Sequence, residues 1–230
     1  MKMFPRKAWL LALLLAVAFI LAACGGTGGG QQGSGSGSEQ GTDKKTGGVM
    51  AGMDHGQMGH GSMGMGSKGM ARQMVMENGK YSDERFIDAM VPHHQNAIAM
   101  ARVALENAEH EEIKELSRNI VSTQQAEIEE LKSIKKEEFG TSNVPMEMSP
   151  SQMRSMGMMD PQQLAHSQPF DKVFIDAMIP HHQSAIVMAQ VALEESENPQ
   201  IKELAQNIVN AQQAEIEQMK AWRQQWYPEG

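Results

Sequence analysis

The stretch FIDAMVPHHQNAIAMARVAL, Phe86 to Leu105, returns almost unchanged as FIDAMIPHHQSAIVMAQVAL, Phe174 to Leu193. At an offset of 88 residues and without gaps, 32 of the 47 positions from Phe86 to Lys132 are identical to their counterparts. A similarity of this extent indicates an internal duplication. The fold is therefore expected to consist of one structural unit built twice.

Each copy contains two long segments whose apolar residues recur at helical spacing. The first copy predicts helices from Ser82 or Asp83 to about Ala108 and from about Glu111 to Glu138. The second copy predicts helices over about 170–196 and 199–226. Four helices of this length favour an all-α fold, a ferritin-like four-helix bundle made of two tandem helical hairpins.

The composition divides the rest of the chain into further segments. A Gly/Ser-rich and then Met/His-rich stretch without apolar periodicity predicts a flexible, disordered arm. A Met-rich connection joins the hairpins, and a short helix is expected after Ser149. The predicted segments are a signal peptide at 1–23, the tether at 24–80, the first hairpin at 81–139, the connection at 140–169 and the second hairpin at 170–230.

The N-terminus is typical of an exported bacterial lipoprotein. A basic start is followed by the apolar run from Trp9 to Ala22, which is short for a membrane span and typical of a secretory signal. The run ends in LAAC, which resembles a lipobox, so we expect lipidation at Cys24 and anchoring to the bacterial membrane outside the cytoplasm. Cys24 is the only cysteine, so disulfides and thiolate metal sites are excluded from the folded part.

Methionine supplies the sulfur that cysteine does not. The chain has 21 methionines, and thioether sulfur is a soft ligand that suits Cu(I). The formal net charge of −8 makes nucleic acid an improbable partner. In the arm, a set of methionines and histidines is expected to capture soft ions weakly, without a preformed fold: Met53, His55, Met58, His60, Met63 and Met65.

Projected on a helical wheel, Met90, His93 and Met100 share one inward stripe, and His94 borders it. Met90 precedes the histidines by three and four residues, which places its thioether on the adjacent turn. Pro92 removes a backbone hydrogen bond beneath the histidines, so a kink or a helix restart is expected there. Pro180 repeats this arrangement in the second copy.

The second helix of each hairpin directs a carboxylate inward. Glu127, with Gln124 one turn before it, falls among the apolar positions, and so does Glu215 with Gln212. A buried carboxylate without a partner costs several kcal/mol. The histidines of the neighbouring helix are the expected partners, and together these side chains favour a metal site over a core in which they only satisfy one another.

The segments FIDAMVPHHQNAIAMARVAL and IVSTQQAEIEEL, with their second copies, resemble the bacterial ferritin-like family known as domain of unknown function three hundred and five. The resemblance covers most of 82–226, and members include secreted copper-binding proteins of the CopM type. It implies a ferritin-like bundle that binds copper in the cell envelope. The implied ligands are Met90, His93, His94, Met100 and Glu127, and Met178, His181, His182, Met188 and Glu215.

The leading hypothesis is a cell-envelope lipoprotein, not an enzyme, that binds copper for sequestration, resistance or delivery. Cu(I) is favoured, and Cu(II) or Ag(I) would also suit the mixed sulfur and imidazole donors. Its expected partners are metal ions, the membrane through Cys24 and an unidentified protein that receives copper. One alternative is a di-iron or di-manganese oxidase, although the Glu-x-x-His pairs of such sites are missing from the sequence. Another is a structural lipoprotein without metal.

Overall fold

The structure is a computed structural model that describes residues 63–145 and 147–229, with side chains described from residue 66 onward. Within these ranges it is almost entirely helical. In chain order the elements are α1 (Met63–Met74), β1 (Met76–Glu77), β2 (Lys80–Tyr81), α2 (Asp83–Asn107), α3 (Glu111–Phe139), α4 (Pro150–Ser155), α5 (Pro161–Ala165), α6 (Phe170–Glu195) and α7 (Pro199–Trp226). The two strands form an antiparallel hairpin in which Met76 lies opposite Tyr81.

Side-chain or glycine caps mark several ends of the four long helices. The Ser82 side chain accepts a hydrogen bond from the Arg85 N–H at the start of α2, and Asn198 does the same for the start of α7. Gly140 ends α3 in the left-handed conformation, at φ 74°. These bounds agree with the predicted helices to within a residue or two, so the all-α prediction is confirmed.

The two hairpins pack through their first helices. Helix α2 packs on α3, α6 packs on α7, and α2 and α6 contact each other between the hairpins. The N-terminal half of α2 shares a core with the C-terminal half of α6, so these two helices run antiparallel. The equivalent helices of the duplication are thus related by a pseudo-two-fold axis across the middle of the bundle.

The hydrophobic core consists of two clusters, one toward each end of the bundle. The first combines the start of α2, the end of α3, the end of α6 and the start of α7, and it includes Phe86, Leu131 and Ile208. The second combines the opposite halves and includes Ile113 and Phe174. Between them each long helix contributes buried polar side chains. The middle of the bundle is therefore a polar layer held between two apolar ones.

The tether predicted at 24–80 is wrong for residues 63–80, because that part forms α1 and the β-hairpin. Ala71, Met74 and Val75 are buried in the first cluster, and Arg72 pairs with Glu195 of α6 at 3.8 Å. Their apolar spacing continues a helical stripe that the Gly/Met-rich composition concealed. Residues 1–62, including the predicted signal peptide and Cys24, lie outside the described residues.

The helix restart expected at the internal prolines is not observed. Helix α2 runs unbroken through Pro92 and α6 through Pro180. Each proline lies well inside a helix of 25 or 26 residues. Buried residues flank each proline on the turns before and after it, so tertiary packing holds the helix despite the lost backbone hydrogen bond.

The connection between the hairpins is ordered by local caps. Helix α4 begins with a capping box in which Ser149 and Gln152 exchange side-chain and backbone hydrogen bonds, and this confirms the short helix predicted after Ser149. Asp160 caps α5. In the part of the chain that the structure describes, every helix is too short or too polar to cross a membrane.

Candidate metal centre

The polar layer contains the two His-His pairs. His93, His94, His181 and His182 are all fully buried. The inner rings, His93 and His181, meet across the pseudo-two-fold axis with centroids 3.9 Å apart and planes tilted by 47°. Each outer ring lies farther away, with centroids 6.3 Å apart for His93 and His94 and 6.2 Å for His181 and His182. The four imidazoles therefore form one continuous row through the bundle.

A carboxylate from the second helix of each hairpin reaches the outer histidine of the same hairpin. His182 Nε2 and Glu215 Oε2 are hydrogen bonded at 2.6 Å. Glu127 Oε2 lies 2.9 Å from His94 Nε2, but off the direction in which a ring N–H would donate, so that nitrogen has no hydrogen bond. The predicted pairing of inward glutamates with histidines is thus observed in both hairpins, with better alignment in the second.

Ser184 gives the inner histidines different surroundings. Its hydroxyl lies 2.7 Å from the Met156 carbonyl oxygen and 2.8 Å from the His181 carbonyl oxygen. Carbonyl oxygens can only accept hydrogen bonds, so the single hydroxyl proton of Ser184 is donated to one of them. The Ser184 oxygen therefore accepts a hydrogen bond from His93 Nε2, which is 2.8 Å away. This bond leaves the lone pair of His93 on Nδ1. His181 has no equivalent bond, because the counterpart of Ser184 is Asn96, which donates to the Met159 carbonyl.

Many buried polar atoms of this layer have no hydrogen-bond partner among the described residues. The unpartnered ring nitrogens are His93 Nδ1, His94 Nδ1 and Nε2, His181 Nδ1 and Nε2, and His182 Nδ1. The side-chain oxygens of Gln124 and Gln212 are also unpartnered, and both residues are only 2% exposed. An unsatisfied buried polar group costs about 1–3 kcal/mol. Each neutral imidazole has one N–H and one nitrogen with a free lone pair, so every ring of the row can offer one nitrogen to a bound metal ion.

The electrostatics of the layer keep the inner histidines neutral. Burial, followed by the neighbouring histidines, holds the pKa of His93 and of His181 well below the ordinary value of 6.5. Both rings are therefore uncharged at neutral pH. Metal ions bind the neutral imidazole, so these rings need to lose no proton before they can act as ligands.

The predicted thioether ligands lie on both sides of the histidine row. Met90 and Met188 belong to the first hydrophobic cluster, and Met100 and Met178 to the second. All four are fully buried. Over the described ranges, no three His, Asp or Glu side chains converge on a common point with the geometry of a ready-made metal cage. The imidazoles and carboxylates thus lie in one layer. Thioether sulfur is the further donor type that could complete the coordination shell of a metal ion there.

Most of the arm residues that are predicted to capture metal precede the described part of the chain. Met53, His55, Met58 and His60 lie outside the described residues. Met63 and Met65 fall in the first turn of α1, but their side chains are outside the described set. Their weak capture of metal therefore stays a prediction.

Ser184 and Asn96 are not among the site residues predicted from the sequence. Both occupy the same position of the repeat, three residues after the first histidine, and both bind backbone carbonyls of the connection. The signal in the sequence was a polar position three residues after the first histidine that differs between otherwise similar copies.

Fold and centre together define a duplicated four-helix bundle with a buried row of imidazoles flanked by carboxylates. The chain belongs to the family described as Domain of unknown function (DUF305), which matches residues 31–135 and 134–223.

Solved structures agree with this assignment. CopM in its Cu(I)-bound form is 43% identical, with a TM-score of 0.58 over 64% of this chain and 99% of that chain. CopM in its Cu(II)-bound form is 44% identical, with a TM-score of 0.60 over the same shares. A DUF305 fragment from Deinococcus radiodurans is 26% identical, with a TM-score of 0.55 over 60% of this chain and 93% of the fragment.

A curated relative matches over a shorter span. An uncharacterised protein of Acanthamoeba polyphaga mimivirus is 41% identical over 51 residues, which is 22% of this chain and 34% of the relative. The chain thus spans about a third of that relative.

Proposed function

We propose that this protein binds copper in the buried histidine layer, with Cu(I) as the favoured form and Cu(II) or Ag(I) as further ions. The observation that carries the proposal is the set of unpartnered ring nitrogens in four fully buried imidazoles. Imidazole accepts either copper oxidation state, and thioether sulfur favours Cu(I). CopM, which was solved with Cu(I), Cu(II) and silver, supports the choice of metal.

The ligands within the layer have distinct roles in this proposal. His93 and His181 supply nitrogen at the centre, and His94 and His182 supply it at the two ends of the row. Glu127 and Glu215 stay beside the outer rings, where a carboxylate either orients the ring or neutralises the charge of the ion. The buried thioethers of Met90, Met100, Met178 and Met188 complete a soft coordination shell.

The double variant His93→Ala with His181→Ala tests this assignment. In a Cu(I) competition titration with a chromogenic chelator, the double variant is expected to lose the tightly bound ions of the histidine layer and to keep the weakly bound ions of the arm, which form the weaker class. His166→Ala is the matched control, because His166 lies at the end of α5, and it should retain the tightly bound ions. If the double variant titrates like the unmodified protein, the histidine layer is not the copper site.

A second measurement does not depend on the stability of a variant. Cu(II) bound to the unmodified protein should give an electron paramagnetic resonance spectrum with nitrogen hyperfine structure from imidazole. A spectrum with oxygen ligands alone would contradict the proposal.

We also propose a location and a role for this protein. The protein acts outside the cytoplasm as a lipoprotein anchored through Cys24, and it sequesters copper or delivers it to a partner without catalysing a reaction. The motif LAAC and the apolar run before it support this part. Labelling of cells with a fatty-acid analogue should mark the unmodified protein, whereas Cys24→Ser should remove the label.

A further inference from the structure

A groove lies beside Pro180, between the connection and α6. It has a volume of about 510 Å³, and its lining includes three methionines, Met153, Met158 and Met159, together with Arg154 and Asp160. The Met158 N–H donates to the Met153 carbonyl oxygen at 2.9 Å, which holds the backbones of these two residues together. Met158 is only 8% exposed and Met153 is partly buried, both at the first cluster, whereas Met159 packs against the second. Met159 follows directly in the chain.

The metal-binding groups that distinguish this groove are the thioether sulfurs of its three methionines. One basic and one acidic side chain line it, so their charges offset each other and neither sign of ligand is favoured. Thioethers carry no charge and bind hard cations poorly, but they are good ligands for Cu(I) and Ag(I). A soft monovalent cation is therefore the ligand class that this lining favours.

The groove belongs to the connection and not to the repeated unit. A smaller groove of about 240 Å³ borders Pro92, the counterpart of Pro180, and its lining includes Gln95, Lys132 and Val144. Among the residues described there, none carries sulfur. The duplication alone therefore does not account for three methionines gathered beside Pro180.

The turn after α4, residues 156–159, carries two of these methionines, Met158 and Met159, and also contacts the histidine layer. Gly157 packs directly on the peptide between Pro180 and His181, so close that a Cβ at this position would lie 2.7 Å from the Pro180 carbonyl carbon. The Met156 carbonyl oxygen accepts from Ser184, which in turn is bonded to His93. One turn of backbone thus separates the groove from the buried imidazoles.

We propose that Met153, Met158 and Met159 form a second soft-metal site, which receives Cu(I) in the partly buried groove beside the histidine layer. This inference rests on the proposed function, since it names where an ion is held before it reaches the buried centre. The fully buried imidazoles need such an approach, and the turn over 156–159 contacts their layer through Gly157 and the Met156 carbonyl.

Nuclear magnetic resonance of the unmodified protein with isotope-labelled methionine methyl groups tests the site, with Ag(I) as a redox-inert probe. Single Met→Leu variants assign the resonances. The methyl signals of Met153, Met158 and Met159 are expected to shift together as Ag(I) is added. If they stay in place while the protein becomes saturated with Ag(I), the proposal is overturned.

A triple variant adds a count of ions. Met153→Leu, Met158→Leu and Met159→Leu together remove the sulfurs at nearly constant volume, and the protein should bind one Cu(I) fewer. Met219→Leu is the control, because Met219 is buried on α7 in the second cluster, and it should leave the count unchanged. An unchanged count in the triple variant would overturn the groove site and leave the histidine layer standing. Absence of Cu(I) binding by the unmodified protein would refute both.

Discussion

Lys135 of α3 and Asp88 of α2 form a buried ion pair one turn before Pro92, with the Lys135 side chain only 1% exposed. Glu84 adds a second carboxylate at 3.4 Å from Lys135 Nζ. The duplication repeats the pair as Arg223 and Asp176, which are 2.7 Å apart and whose side chains are 17% and 43% exposed. The same contact between the two helices of a hairpin is thus buried in the first copy and more exposed to solvent in the second.

Lys135→Met is expected to lower the free energy of unfolding by about 3–5 kcal/mol, because it leaves the Asp88 carboxylate buried without its cation. Arg223→Met is the matched control and should cost less than about 1 kcal/mol through its exposed ion pair. Urea unfolding followed by circular dichroism measures both. Equal losses would show that burial does not distinguish the two pairs.

Combining Asp88→Asn with Lys135→Met provides a further check. In the double variant Lys135→Met with Asp88→Asn the buried charge is gone, so a large part of the stability lost in Lys135→Met should return. A double variant no more stable than Lys135→Met would indicate that the loss came from packing and not from charge.

Gly157→Ala is expected to destabilise the protein by several kcal/mol, because Gly157 has φ 72° and its Cβ would collide with the backbone of His181. Gly140→Ala is the matched control, since Gly140 has φ 74° with open space around it, and it should cost about 1–2 kcal/mol. Thermal unfolding measures the difference. If the two variants are equally stable, the turn does not pack on α6 as described.

Ser184→Ala should weaken copper binding about 10–100-fold, which is typical when a hydrogen bond to a metal-ligating histidine is lost. The variant frees His93 to rotate and to change tautomer, because Ser184 is its hydrogen-bond partner. Ser184→Thr retains the hydroxyl and should restore most of the affinity. Asn96→Ala, which breaks the bond to Met159, should change the affinity less. Competition titration of the four proteins tests this ranking.

The stability of the metal-free protein should fall as the pH is lowered below about 6.5. The pKa values of His93 and His181 lie well below 6.5 in the folded state because of burial and their histidine neighbours. In the unfolded state they return to about 6.5, so below this pH the unfolded state binds more protons and is favoured. The slope per histidine approaches about 1.4 kcal/mol per pH unit. Urea unfolding in chelator at several pH values measures it.

The variant His93→Ala with His181→Ala is the control for this pH dependence. It should be less stable at neutral pH but lose less stability on acidification than the unmodified protein. Parallel pH profiles would mean that other groups cause the acid sensitivity.

The fold was accessible from the sequence because two strong signals agreed. The duplication set the number of hairpins, and the helical spacing of the apolar residues set their bounds to within about two residues. The inward direction of His93 and Glu127 followed from the same spacing. The helix and hairpin over 63–80 could not be predicted from the sequence, because the few apolar residues of this segment are buried only by tertiary contacts such as those with α6.

The arrangement within the site was less accessible, because it depends on contacts between distant parts of the chain. The meeting of His93 with His181 requires α2 and α6 to be antiparallel, and helical spacing does not specify their relative direction. Helical spacing places Lys135 near the end of α3, where a positive charge suits the helix dipole, but only the packing of α2 makes it a buried partner of Asp88. Both the contact of His93 with His181 and the ion pair of Lys135 with Asp88 depend on tertiary packing.

The meeting of His93 and His181 across the two-fold axis has a consequence for assembly. A hairpin on its own would carry half of the imidazole row, and two separate chains would have to associate, with a yield set by their concentration. In the tandem chain the connection keeps the halves at a high effective concentration. The complete row therefore forms even when the protein is scarce.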